Sequence, residues 1–149
     1  MIVTADTNIF VYQFDERDPV KFRAAAAVVD VLQERDSPIA LQVCGEFYRA
    51  CTRRLRRSPW EAAQGARNLM VAHPVFGSTR RSTERALAEA AAGRLSFWDA
   101  NLLAAAEGAG CTHMLSEDMQ DGIRLGTVEG VRPFDEAGLS ERARALLQL

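Results

Sequence analysis

Four acidic residues stand where a carboxylate can do chemistry. Asp6 directly follows the short apolar run MIVTA, and Asp118 belongs to the group Ser116-Glu117-Asp118 directly after CTHML. Glu46 falls in the first turns of the helical stretch after PIAL, among Val43, Cys44, Gly45 and Phe47, and Asp99 in the first turn of the stretch opened by Ser96-Phe97-Trp98. Ligands of an open parallel sheet bind beyond the carboxyl ends of its strands, so these positions direct all four acids toward one end of such a sheet. Each has a plain structural explanation as well. Asp6 suits a turn or cap, Glu46 a helix N-terminus, Ser96-x-x-Asp99 a capping box, and Asp118 shares its turn with Glu117 and Asp121. Together they imply more, because clustered carboxylates repel unless protons or a cation offset the charge. With no His or Cys shell beside them, the matching ion is Mg²⁺ or Mn²⁺ rather than Zn²⁺. It would orient a water and hold a scissile phosphate.

The elements that must position these acids are legible from pattern and punctuation. Residues 1–5 read as a strand ending in the polar turn Asp6-Thr7-Asn8, and Pro38–Leu41 as a second short strand. Helices are expected from Pro19 to about Arg35, from about Val43 to Arg54, from Pro59 to Ala72, from Ser78 to Ala92, from Ser96 to about Glu107 and from Ser140 to Leu147. Ser58-Pro59 with Glu61 forms a capping box, Ser37-Pro38 stops the first long helix, and Gly93 and Gly108 or Gly110 close two others. Further strands are expected at Thr112–Leu115 and near Val128–Val131. Short strands alternating with longer helices indicate an α/β/α sandwich with a short, mostly parallel sheet. A chain of 149 residues with 48% hydrophobic and 26% charged residues fits one such domain over residues 1–149.

The overall formal charge is −2, which excludes a strongly basic, tail-driven nucleic-acid binder. Between Glu46 and Arg94, however, ten arginines face four acids. Arg49 and Arg53 stand one helical turn apart, with Arg56 and Arg57 just beyond, so a polyanion tracking toward the acids explains the asymmetry. A solvated arginine face is the alternative. Cys44, Cys51 and Cys111 are isolated and odd in number, which reads as free thiols in a reducing, cytoplasmic setting. The N-terminus lacks a basic region before its apolar run, and no apolar stretch is long enough to span a bilayer, so no membrane association is expected. His73 and His113 lack a nucleophile partner. Tyr12, Phe14, Trp60, Phe76, Phe97 and Trp98 read as core or dimer contacts rather than base-stacking platforms. No phosphate-binding glycine loop occurs, and Asn8 occupies the position where haloacid-dehalogenase-like phosphatases carry their second Asp.

The stretches IVTADTNIFVY, GEFYRA, LSFWDANLLAAAEGAGC and LSEDMQDG resemble the PIN domain family, specifically the VapC-type toxin ribonucleases of bacterial toxin–antitoxin pairs. The resemblance runs over nearly the whole chain. It implies that Asp6, Glu46, Asp99 and Asp118 are the catalytic and metal-holding acids, with Thr7, Asn8 and Ser116 supporting them and Glu117 and Asp121 as possible auxiliaries. It further implies a metal-dependent endoribonuclease, dimeric, and silenced by a cognate antitoxin. A PIN-like domain that binds RNA or a partner without turnover and a housekeeping ribonuclease without an antitoxin are the alternatives. A small-molecule phosphohydrolase would not need the extended cationic track. Partner binding is expected on the helices Val20–Arg35 and Pro59–Ala72, with a basic side chain of the antitoxin reaching the carboxylates.

Overall fold

Three buried residues, Val3–Ala5, form strand β1, and after the single residue Asp6 the chain enters a helix. The computed structural model describes residues 1–149. After β1 come α1 (Thr7–Tyr12), α2 (Pro19–Glu34), β2 (Ile39–Ala40), α3 (Leu41–Arg53), α4 (Pro59–Ala72), β3 (Val75–Phe76), α5 (Arg80–Ala91) and α6 (Phe97–Gly108). The chain continues with β4 (His113–Leu115), β5 (Arg124–Leu125), β6 (Val128–Val131), β7 (Phe134–Asp135), β8 (Gly138–Leu139) and α7 (Glu141–Leu147).

The central sheet has the order β1-β4-β6-β5. β1 and β6 both run parallel to β4, with Ala5 opposite Leu115 and Leu115 opposite Val131. Only the short β5 is antiparallel. β2 and β3 form a separate parallel pair, and β7 and β8 an antiparallel one. Helices flank the sheet in a three-layer α/β/α arrangement. α1 packs on α2 and α3, and α3 on α4, while α6 lies against β5 and β6 and carries α5. A continuous apolar cluster running through Val3, Phe10, Leu32, Phe47, Leu103, Met114 and Leu147 joins these layers. All three cysteines are buried free thiols. No helix is long and apolar enough to cross a membrane.

Several boundaries differ from the sequence expectation for identifiable reasons. Asp6-Thr7-Asn8 is a helix start rather than a free turn, because the Asp6 side chain accepts from the Asn8 N–H and so caps α1. Leu41 opens α3 instead of ending a strand. The Ser58–Glu61 capping box is complete, whereas Ser96 accepts from the Asp99 N–H and Asp99 returns no bond, so that box is only half made. Ser82 answers Thr79 in an additional box that starts α5. The strands β3, β5, β7 and β8 are two residues each, too short for alternation to reveal them.

Candidate active site

The end of β1 and the end of β4 lie side by side, so parallel pairing places Asp6 and Ser116 at one edge. The Asp6 N–H donates to the Leu115 carbonyl at 2.9 Å. Ser116, buried just past β4, donates its hydroxyl to Asp6 Oδ2 at 2.6 Å and accepts from the Asp118 and Met119 N–H groups, both at 3.3 Å. One serine therefore orients Asp6 and shapes the turn that carries Asp118. Asn8 performs a matching double task. Its backbone N–H donates to Asp6 Oδ1 at 3.2 Å and its side-chain amide to Asp118 Oδ2 at 3.1 Å.

Glu46 comes to the same place from α3. Thr7 donates its hydroxyl to Glu46 Oε2 at 2.6 Å, and Gln42, one turn earlier, donates to Oε1 at 2.9 Å. The resulting cleft, of about 270 Å³, is lined by Asp6, Asn8, Glu46 and Asp118 together with Arg49, Arg53 and Arg54. Burial pushes the Asp6 carboxyl above its usual range, and the charges of Asp118 and Glu46 add to that, against the opposing bonds from Ser116 and Asn8.

These contacts sort the residues expected from sequence. Asp6, Thr7, Asn8, Glu46, Ser116 and Asp118 are brought together. Asp99, in the first turn of α6, does not line this cleft, and its carboxylate makes no hydrogen bond. Near it, Asn101 donates to Ser78 at 2.7 Å, so that end of α6 is fixed against the segment after β3. Glu117 pairs with Lys21 at 2.7 Å and Asp121 with Arg142 at 3.0 Å, while Asp121 also accepts from the Arg132 N–H at 2.8 Å. Neither lines the cleft, which gives Asp118 rather than Glu117 the inward place in the turn. Arg49 and Arg53 border the cleft, but Arg56 and Arg57 line a neighbouring cavity.

Two participants were not singled out from sequence. Gln42 holds Glu46, and the i to i+4 spacing on α3 was the available signal. Arg54 donates to Asn8 Oδ1 at 3.0 Å, which fixes the amide so that its NH₂ faces Asp118. It was visible only as one member of an arginine-rich stretch.

No three Asp, Glu, His or Cys side chains close around a single point. Mg²⁺ needs no such cage, since it keeps several waters and takes one or two carboxylates together with substrate phosphate. An all-oxygen donor set around Asp6 and Asp118, with like charge already raising the Asp6 pKa, fits that ion.

Among solved structures, the chain is similar to a toxin–antitoxin complex from Klebsiella pneumoniae, at 20% identity and a TM-score of 0.64, covering 91% of this chain and 99% of that one. VapC20 from Mycobacterium tuberculosis, a toxin that cleaves the sarcin-ricin loop, matches at 18% identity and a TM-score of 0.59, covering 78% and 91%. VapBC2 from Rickettsia felis, bound to a DNA fragment from its promoter, matches at 12% identity and 0.60, covering 89% and 100%. No protein-family model and no curated protein matches the sequence.

Proposed function

We propose that this chain, which has the fold of VapC-type PIN-domain toxins, is a metal-dependent endoribonuclease held silent by an antitoxin. The observation that carries the proposal is the convergence of Asp6, Glu46 and Asp118 on one cleft that Arg49, Arg53 and Arg54 also line. Acids alone suit a structural cation, and arginines alone suit an anion. Their presence in one cleft suits a phosphodiester bound among them.

Asp6 and Asp118 would hold Mg²⁺ or Mn²⁺, and the family resemblance, rather than a contact of its carboxylate, adds Asp99 from α6; the ion would supply an activated water and would neutralise charge developing on the phosphate. The chain's own groups do the rest. Arg49, Arg53 and Arg54 hold phosphate oxygens, and their charge-assisted bonds strengthen as negative charge builds on them. Ser116 and Asn8 keep Asp6 and Asp118 from rotating away. Glu46, locked by Thr7 and Gln42, accepts a proton from the attacking water. Hydrolysis then forms one P–O bond to that water and breaks one to the leaving ribose oxygen.

The antitoxin reading is supported by the company of the fold, since two of the similar structures are toxin–antitoxin assemblies. The chain leaves apolar side chains outside its own core, with Trp60 82% and Val71 88% exposed on α4. Such a face suits an amphipathic partner segment or a second copy. A basic side chain of that partner entering the cleft would compete with the metal for the same carboxylates.

The deciding experiment is an RNA cleavage assay on purified wild type, Asp6→Asn and Asp99→Asn, with and without EDTA. Asn retains the helix-capping ability of Asp6, so the fold should survive. EDTA should abolish cleavage and each variant should lower turnover by about a hundredfold or more. Undiminished cleavage by both variants, with contaminating nuclease controlled for, overturns the site. Glu117→Gln should leave activity near wild type where Asp118→Asn does not. Co-expression with the product of the neighbouring gene, followed by light scattering, tests the inhibitory partner and the homodimer together.

A further inference from the structure

A cavity of about 570 Å³ lies beside the acidic cleft rather than within it. The segment after α1 and the connection between α3 and α4 enclose it, and Arg54 lines both spaces, so a chain leaving the cleft past Arg54 enters the cavity directly.

Its lining sets four arginines, Arg17, Arg54, Arg56 and Arg57, against two acids, Asp15 and Glu16. Asp15 is held by Arg17 through two bonds of 2.7 and 2.8 Å, so those two charges cancel. Arg56 and Arg57 enter no ion pair. Arg56 also has a φ of 53°, the left-handed region that a non-glycine residue rarely adopts. Phe14, 46% exposed, lines the same cavity. Its ring meets the buried Phe47 edge-on at 5.9 Å and 68°, so the open face is backed by the core.

We propose that this cavity is a subsite for one unpaired RNA nucleotide next to the scissile phosphate, its base against Phe14 and its phosphate against Arg56 and Arg57. The inference rests on the ribonuclease reading and deepens it by naming the residues that receive the nucleotide beside the cut. A base can lie flat on an aromatic ring only when it is out of a helical stack. A protein segment is the less suitable occupant, because only three of the ten lining residues are hydrophobic. The smaller cavity on the other side of Phe14, lined by Phe47, Cys51, Leu55 and Ala62 among others, is the more apolar of the two.

The test uses the full chain carrying Asp6→Asn, which binds without cutting, and fluorescent single-stranded RNA oligonucleotides in which one abasic nucleotide is stepped along the sequence. Fluorescence anisotropy should show about a tenfold loss of affinity for one abasic position. Adding Phe14→Leu, which keeps an apolar side chain against Phe47, should weaken intact RNA by a similar factor and abolish the sensitivity to that position. Arg56→Gly, which removes the cation and accepts the positive φ without strain, should weaken RNA binding and its salt dependence while leaving thermal stability undiminished. An abasic profile identical in the Phe14→Leu chain overturns the subsite and leaves the cavity to a protein partner. If no oligonucleotide binds any of these chains, the ribonuclease reading falls too, whereas metal-dependent cleavage by wild type with a flat abasic profile removes the subsite alone.

Discussion

At the scale of single residues, the site is a set of acids whose orientation is fixed by uncharged neighbours. Asn8 is the sharpest case, since its amide accepts from Arg54 and donates to Asp118. Asn8→Asp keeps size and the Arg54 contact but replaces the donor with a carboxylate facing Asp118. We expect turnover to fall at least tenfold, with a weakened apparent Mg²⁺ affinity; a metal titration of RNA cleavage checks both. The acids themselves were legible in the sequence because strand ends and helix starts have local signatures, and Asp6, Glu46 and Asp118 do meet. Arg54 and Gln42 were not legible as partners, because nothing in the spacing of Arg54 distinguishes it from its arginine neighbours. Which of two adjacent acids faces inward was also beyond reach. That choice follows from Lys21 capturing Glu117, a contact between residues far apart in sequence.

At the scale of elements, α3 carries Glu46, Arg49 and Arg53, so its seating on α4 sets the depth of the cleft. Gly65 on α4 is the contact point. A Cβ there would lie 2.9 Å from the Phe47 ring, and Phe47 is wedged between Gly65 and Phe14. Alanine has the better helix propensity by about 1 kcal/mol, yet overpacking a buried ring costs about 1–3 kcal/mol. Gly65→Ala should therefore destabilise the protein by about 1 kcal/mol, measurable by urea denaturation. His73, at the end of α4, sets a second expectation. It is 3% exposed, its Nδ1 lies 3.0 Å from the Ser37 carbonyl and its Nε2 has no partner. Burial lowers its pKa below the ordinary 6.5, so the folded chain keeps it neutral. As pH falls below 6.5 the unfolded state takes up a proton that the folded state refuses, and stability drops; above that value this contribution is fully present. His73→Phe should cost about 1 kcal/mol at neutral pH through the lost hydrogen bond and flatten the decline in Tm on acidification. Most helices were readable from caps and periodicity, as Ser58-Pro59 with Glu61 illustrates. α1 was not, because an Asp-Thr-Asn sequence signals a turn and its six residues are too few for an apolar stripe to appear.

For the whole molecule, a formal charge of −2 conceals a cationic rim at the cleft. Binding of single-stranded RNA should weaken with salt, and replacing Arg49 and Arg53 together by Ala should reduce the slope of log K against log salt by about 1.4 if each meets one phosphate. Fluorescence titrations at several ionic strengths check this, and an unchanged slope places the strand elsewhere. The layered α/β/α arrangement was legible because alternating short strands and longer helices admit few other solutions, while the separation of β2 and β3 from the central sheet was not. The buried cysteines carry a different consequence. Cys44 and Cys51 lie on α3, whereas Cys111 follows α6, and burial raises the pKa of all three, that of Cys111 to about 11. A folded chain thus withholds its thiols from alkylating reagents, and each becomes reactive only while its surroundings are open. Timed iodoacetamide pulses followed by peptide mass spectrometry turn these cysteines into built-in reporters: faster modification of Cys44 and Cys51 than of Cys111 would show α3 breathing as a unit of its own, and equal rates would show the two halves opening together.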